Sequence, residues 1–171
     1  VPLGLGHAVL QAEHAVGDSP FLIILPDEVF IPKDIHEPGS RIPYTGLALQ
    51  ELVELGNAGN NGLAAIPVTF KERRSLGIID YVEAADGAKI PTDMIEKPDP
   101  DVAIASTEDG MFLGCVGRYV FQPAIFEILH QVPPTVGNEI QLTSAISEII
   151  TDLNSTMEVV TVEEEFRFDV G

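Results

Sequence analysis

Residues 21–27 read Phe21-Leu22-Ile23-Ile24-Leu25-Pro26-Asp27, a short unbroken apolar run closed by a proline and an acid. Such a run, without polar alternation, predicts a central parallel strand covered on both faces. The preceding residues, His7 to Val16, are good helix formers with Val9, Ala12 and Val16 on one face, entered from Gly4-Leu5-Gly6 and ended by Gly17-Asp18-Ser19-Pro20. A helix feeding such a strand points to an α/β layer fold.

The pattern continues outward from there. Residues 30–45 carry Pro32, Pro38, Gly39 and Pro43 and read as a loop. Leu47, Leu49, Leu52, Val53 and Leu55 predict an amphipathic helix stopped at Gly56-Asn57. Leu63 to Val68 is the next strand, with Pro67 confining it to a sheet edge or a strand end. Ile78–Val82 and Ile90–Glu96 read as two strands joined by Ala85-Asp86-Gly87, and Phe112–Phe121 as another strand. Pro123 opens a helix through His130, Glu139–Ile149 forms a further helix, and Thr156–Phe168 is β-rich. No internal repeat breaks the chain, so one mixed α/β domain over residues 1–171 is expected, its sheet mainly parallel and flanked by helices.

Composition bounds the function. The 171 residues include 9 Lys plus Arg against 27 Asp plus Glu, a formal charge of −18, with 45% hydrophobic residues. Such a field repels nucleic-acid phosphates and anionic lipid, which argues against a nucleic-acid or membrane-surface role. Any phosphate-bearing ligand then needs a metal ion or locally placed cations. A single cysteine, Cys115, leaves no internal disulfide and fits a reducing, cytoplasmic compartment; in its apolar strand it reads as a buried structural thiol. No apolar run has the length of a membrane span, and Val1-Pro2-Leu3-Gly4 shows neither a signal-peptide pattern nor an initiator Met. The expectation is a piece of a longer chain.

Three places could carry chemistry. Asp27 and Asp169 each follow an apolar strand run, where open α/β sheets bind ligands, and two carboxylates there suit a hard divalent cation such as Mg2+. Either could equally be an ordinary turn aspartate. Glu96-Lys97 places a hydroxyl acceptor beside a phosphate-binding cation, with Lys97 one of only four lysines; the plain alternative is a surface pair at a strand end. Gly4-Leu5-Gly6 would let a ligand approach the backbone, although an ordinary helix-opening turn accounts for it as well. His7 and His14 have no third ligand at metal-binding spacing and read as a solvated or packing pair.

Taken in order, Gly4-Leu5-Gly6-His7-Ala8-Val9, Leu25-Pro26-Asp27, Leu76-Gly77-Ile78-Ile79-Asp80, Ile95-Glu96-Lys97-Pro98, Val116-Gly117-Arg118-Tyr119-Val120, Asn138-Glu139-Ile140-Gln141-Leu142-Thr143 and Asp169-Val170-Gly171 resemble one family across the whole chain. That family is the bacterial UTP–glucose-1-phosphate uridylyltransferases, or UDP-glucose pyrophosphorylases, within the sugar nucleotidyltransferases. The resemblance implies the central and C-terminal part of a Rossmann-like nucleotide-diphospho-sugar transferase fold. It implies uridylyl transfer from UTP to glucose 1-phosphate with Mg2+, giving UDP-glucose and pyrophosphate.

By the same resemblance, Gly4 faces the uracil edge and Gly77 lies against the glucose ring. Glu96 accepts sugar hydroxyls, Lys97 meets the sugar phosphate, and Asp27 and Asp169 share the metal. Asp27 and Lys97 are the catalytic positions so implied.

The departures are also informative. The glycine-rich nucleotide loop with its Arg and Lys, and the base-contacting Gln, are not in this sequence, which is expected to be truncated at both ends relative to the family. Leu76 replaces an aromatic, Ser144 replaces an acid, and residues 103–111 are longer and more acidic than usual. The isolated chain is therefore expected to bind sugar phosphate or sugar nucleotide weakly, to form no UDP-glucose, and to self-associate through an uncovered sheet edge. A non-catalytic binding or regulatory protein, or a thymidylyl-transferring relative, are the alternatives.

Overall fold

A computed structural model of the protein describes residues 3–32, 47–85, 87–135, 137–152, 155–162 and 165–169. The expected turn residues Pro38, Gly39, Pro43 and Asp86, the Glu163-Glu164 pair and the terminal Val170-Gly171 lie outside the described residues. The elements are, in order, α1 (Leu5–Leu10), α2 (Glu13–Val16), β1 (Phe21–Ile24), β2 (Glu28–Pro32), α3 (Leu47–Asn57) and β3 (Asn61–Val68). A 3-10 turn (Glu72–Ser75) precedes β4 (Gly77–Glu83), β5 (Lys89–Glu96) and β6 (Phe112–Phe121). Helices α4 (Ile125–Gln131) and α5 (Leu142–Thr151) and strands β7 (Met157–Thr161) and β8 (Glu165–Asp169) follow.

The main sheet runs β5-β4-β6-β3-β7, with β1 also paired to β6, and β2 and β8 form a separate two-stranded sheet. Its backbone is β6, buried at every position. Alternation on β6 explains that burial. Leu113, Cys115, Tyr119 and Phe121 enter a core with Val9, Leu129, Leu142 and Ile146 from α1, α4 and α5. Val116 and Val120 point the other way, into a cluster with Ala48 and Leu52 of α3. An unbroken apolar strand is what two covered faces require.

The α/β class stands, but the sheet is not mainly parallel. Among the described strands only β3 and β7 pair in parallel; β1, β3 and β4 all run antiparallel to β6, β4 runs antiparallel to β5, and β2 to β8. Phe21–Ile24 is thus no central parallel strand. Among the described strands it pairs only with β6, and Ile24 is half exposed, at 50%. An apolar run reports burial, and burial here comes from Phe21 stacking on Phe126 of α4, ring centroids 5.1 Å apart.

Three further differences are local. The helix expected over residues 7–16 is two short ones, because Gln11 and Ala12 donate to Ala8 and Val9 three residues back and close α1 with a tighter turn. Phe30–Pro32, expected in a loop, completes β2, whose described pairing is to β8 alone, so Pro32 takes a strand end. β3 is an interior strand, yet its pairing with β7 ends at Ala65 and leaves Pro67 beside β6 only.

Candidate functional site

Glu96 closes β5 directly opposite Gly77, which opens β4. A Cβ added at Gly77 would lie 2.7 Å from Met94 Cε, 3.3 Å from Thr143 Cγ2 and 3.4 Å from Glu96 Oε2. The missing side chain therefore lets Met94, the Glu96 carboxylate and Thr143 of the first turn of α5 close in around the Gly77 backbone. Lys97 Nζ stands 3.6 Å from Glu96 Oε1, and the two side chains are 61% and 38% exposed. An ion pair this open to water adds little stability, so both groups are available to a ligand. Lys97 itself has φ 44°, a left-handed conformation that costs a non-glycine residue roughly 1–3 kcal/mol. Its N–H donates to the Leu76 carbonyl at 3.0 Å.

Asp27 occupies the exposed turn between β1 and β2. The turn is held from beneath by Arg118 of β6, which is 8% exposed. Arg118 donates to the carbonyls of Leu25 (3.0 Å), Gly117 (3.1 Å) and Glu28 (2.6 Å), and its guanidinium lies 5.0 Å from the centroid of the Phe30 ring. Gly117 is needed for the approach: a Cβ there would sit 2.6 Å from Leu25 Cβ. Across the small sheet Glu28 pairs with Asp169, so Asp27 and Asp169 are one register step apart by backbone.

These two groups meet at one gap beside β6. Ile24 pairs with Arg118 and the Leu25 N–H donates to the Gly117 carbonyl, whereas Ile78 pairs with Gly114. The end of β1 and the start of β4 therefore face each other along the same edge of β6, Leu25 level with Gly117 and Gly77 level with Cys115. At ~3.4 Å per residue those levels are about 7 Å apart along the strand. Cys115 itself belongs to the buried core, and burial raises its thiol pKa from 9.0 to about 12.

Gly4 joins the same neighbourhood from the other side. It precedes α1 with φ 95°, and any Cβ there would collide with the Ile140 carbonyl. Gly6 N–H donates to that carbonyl at 2.9 Å, and Ile140 N–H donates to Leu3 at 2.8 Å. The glycine-rich opening is thus clamped to residues 138–143, whose Thr143 borders Gly77. His7 Nε2 of α1 lies 3.4 Å from Gln11 Nε2 at the end of that helix, while His14 is on α2. Among the described residues no three His, Cys, Asp or Glu side chains cluster as metal ligands.

Sequence comparison places this geometry. No protein-family model matches the chain. It is 37% identical over 172 residues to the UTP–glucose-1-phosphate uridylyltransferase of Streptococcus pneumoniae serotype 4, covering 99% of this chain and 52% of the relative. The chain belongs to the bacterial UTP–glucose-1-phosphate uridylyltransferase family. The uridylyltransferase of Escherichia coli K12 is 37% identical over 150 residues, 86% of this chain and 45% of that protein. Among solved structures, a UDP-glucose pyrophosphorylase complexed with UDP-glucose superposes with a TM-score of 0.78 at 29% identity, covering 99% of this chain and 58% of the other. A UTP-bound pyrophosphorylase from Acinetobacter baumannii gives 0.73 at 28% identity, covering 99% and 52%. The chain spans about half the length of the curated uridylyltransferases it matches.

Within this chain the structure brings Gly77, Glu96 and Lys97 together and sets the Asp27 turn beside them. The Asp169 side chain lies outside what is described. Sequence reasoning missed the roles of Arg118 and Arg73. For Arg118 a signal existed, since it interrupts an apolar strand; nothing local singles out Arg73 in Lys71-Glu72-Arg73-Arg74.

Proposed function

We propose that the chain carries the sugar-phosphate part of a uridylyltransferase site, acting in transfer of a uridylyl group from UTP to glucose 1-phosphate with release of pyrophosphate. The observation that carries this reading is the facing of Gly77 and Glu96, with Lys97 next to them, at the gap that also receives the Asp27 turn. A pyranose set beside Gly77 meets the backbone there, with the Glu96 carboxylate and Thr143 at its edge. Its hydroxyls donate to the Glu96 carboxylate, and the Lys97 ammonium neutralises the sugar phosphate whose oxygen attacks the α-phosphorus of UTP. Such transfers need positioning and charge neutralisation more than covalent help.

Asp27 and Asp169 fit a divalent cation by donor type, and Arg118 occupies the backbone carbonyls flanking Asp27, which leaves the exposed carboxylate to act as a ligand. They would hold Mg2+, which supplies charge neutralisation at the phosphates. Gly4 faces the uracil in the same reading. Among the described residues no helix is long and apolar enough to cross a membrane, and a cytoplasmic location belongs to the proposal. So does self-association: β5 is an outer strand whose exposed Ile90 pairs with the exposed Val82.

Calorimetric titration of the chain with glucose 1-phosphate tests the reading. Lys97→Ala is expected to weaken binding at least tenfold, as loss of a charge-assisted contact of roughly 1.5–3 kcal/mol would do. Equal affinity in the folded variant would remove Lys97 from the site.

A further inference from the structure

Arg73 is 2% exposed and lies in the 3-10 turn just ahead of Gly77. Its guanidinium lies against the tilted pair of rings Phe70 and Phe112, 4.5 and 4.7 Å from their centroids. Nη2 donates to three backbone carbonyls, those of Asp99 (3.1 Å), Pro100 (2.8 Å) and Val102 (3.2 Å). A guanidinium so buried is costly unless its donors are met; backbone oxygens of one short segment meet those of Nη2, while Nε has no hydrogen-bond partner among the described residues.

That segment begins two residues after Lys97. The left-handed Lys97 precedes Pro98, and a residue before proline has a further restricted backbone, so the conformation needs support from both sides. On one side the Leu76 carbonyl accepts the Lys97 N–H. On the other Arg73 fixes Asp99, Pro100 and Val102. Both supports come from residues 73–76. The stretch bearing them is itself pinned, since Glu72 Oε2 accepts from the Thr69 N–H (2.9 Å) and hydroxyl (2.6 Å), and Arg73 N–H donates to the Thr69 carbonyl (3.0 Å).

We propose that Arg73 is a positioning residue for Lys97: by gathering the carbonyls of residues 99, 100 and 102 it holds the left-handed turn that presents Lys97 beside Glu96 and Gly77 to a sugar phosphate. This deepens the proposed function and rests on it for the role of Lys97. Arg73 touches no ligand; it acts through the backbone.

The test uses the isotope-labelled chain with Arg73→Met, which keeps an apolar stem against the two rings, and Arg73→Lys, which keeps the charge. The three-bond amide–Hα coupling of Lys97 reports φ by NMR, and calorimetry reports glucose 1-phosphate affinity. Arg73→Met is expected to move the Lys97 coupling off its left-handed value and to weaken binding at least tenfold. Combined with Lys97→Ala it should add nothing further, and Arg73→Lys should restore part of both readouts. Should Arg73→Met fail to fold, Arg73→Lys decides alone, with a smaller shift in the same two readouts expected. An unchanged Lys97 coupling in either folded variant overturns the proposal, and so does full additivity of Arg73→Met with Lys97→Ala. If Lys97→Ala itself leaves binding unaltered, the sugar-phosphate reading falls, while the coupling still decides whether Arg73 sets the turn.

Discussion

Arg118 Nη2 lies 2.6 Å from the carbonyl oxygen of Glu28, which ties the far end of the Asp27 turn to the middle of the main sheet. Nη1 reaches the near end, the Leu25 carbonyl, at 3.0 Å. One buried cation therefore fixes both ends of a turn whose own residues make no regular sheet.

Replacing Arg118 by Met should release that turn. Each charge-assisted hydrogen bond contributes roughly 1.5–3 kcal/mol, and the carbonyls left behind lose their donors. The expected outcome is a loss of about 2–4 kcal/mol in urea unfolding, with amide exchange accelerated first at residues 25–29. Slow exchange there in the folded variant would show that the turn is held by something else.

Gly117→Ala tests the close approach of β1 to β6. The new Cβ would fall 2.6 Å from Leu25 Cβ, a backbone-proximal atom that rotamer change cannot move. Overpacking of this kind costs ~1–3 kcal/mol. Leu25→Ala should fail to rescue it, because alanine keeps the offending Cβ, whereas Leu25→Gly should recover part of the loss. Chemical denaturation of the three variants distinguishes these outcomes.

The pH dependence of stability has a predictable sign on the alkaline side. Burial raises the Cys115 thiol from 9.0 to about 12, and burial also raises Tyr119 well above 10.0. Above pH 9 the unfolded thiol ionises while the folded one stays protonated, so the unfolded state binds fewer protons and stability falls as pH rises toward about 12. Below 9.0 this contribution is fully present. Urea midpoints at pH 8 and pH 10.5 should therefore drop more in the parent than in Cys115→Ala. Parallel drops would mean that Cys115 carries no such linkage.

What could be read from the sequence follows from how local each determinant is. The β4–β5 hairpin was legible because Ile78–Val82, the Ala85-Asp86-Gly87 turn and Ile90–Glu96 lie in one short stretch, and that pairing alone sets Gly77 against Glu96. The ten-residue strand β6 was legible from its apolar residues on both sides of Arg118. Strand direction was not, since Phe21–Ile24 would be equally apolar beside a parallel or an antiparallel neighbour. Nor was the break at Gln11-Ala12 visible, where no glycine or proline marks it. Arg118 and Arg73 escaped for a different reason. Their distant partners are carbonyls 90–93 and 26–29 residues away, and any residue type supplies a carbonyl.

The most direct test of the account is the map of amide chemical-shift changes when the labelled chain is titrated with glucose 1-phosphate. The account predicts saturable changes centred on Gly77, Glu96, Lys97 and Thr143, fading along β4 and β5 and absent at the outer end of the β4–β5 hairpin. Changes centred elsewhere, or none at millimolar glucose 1-phosphate in the folded chain, would contradict the assignment of this cleft to the sugar phosphate.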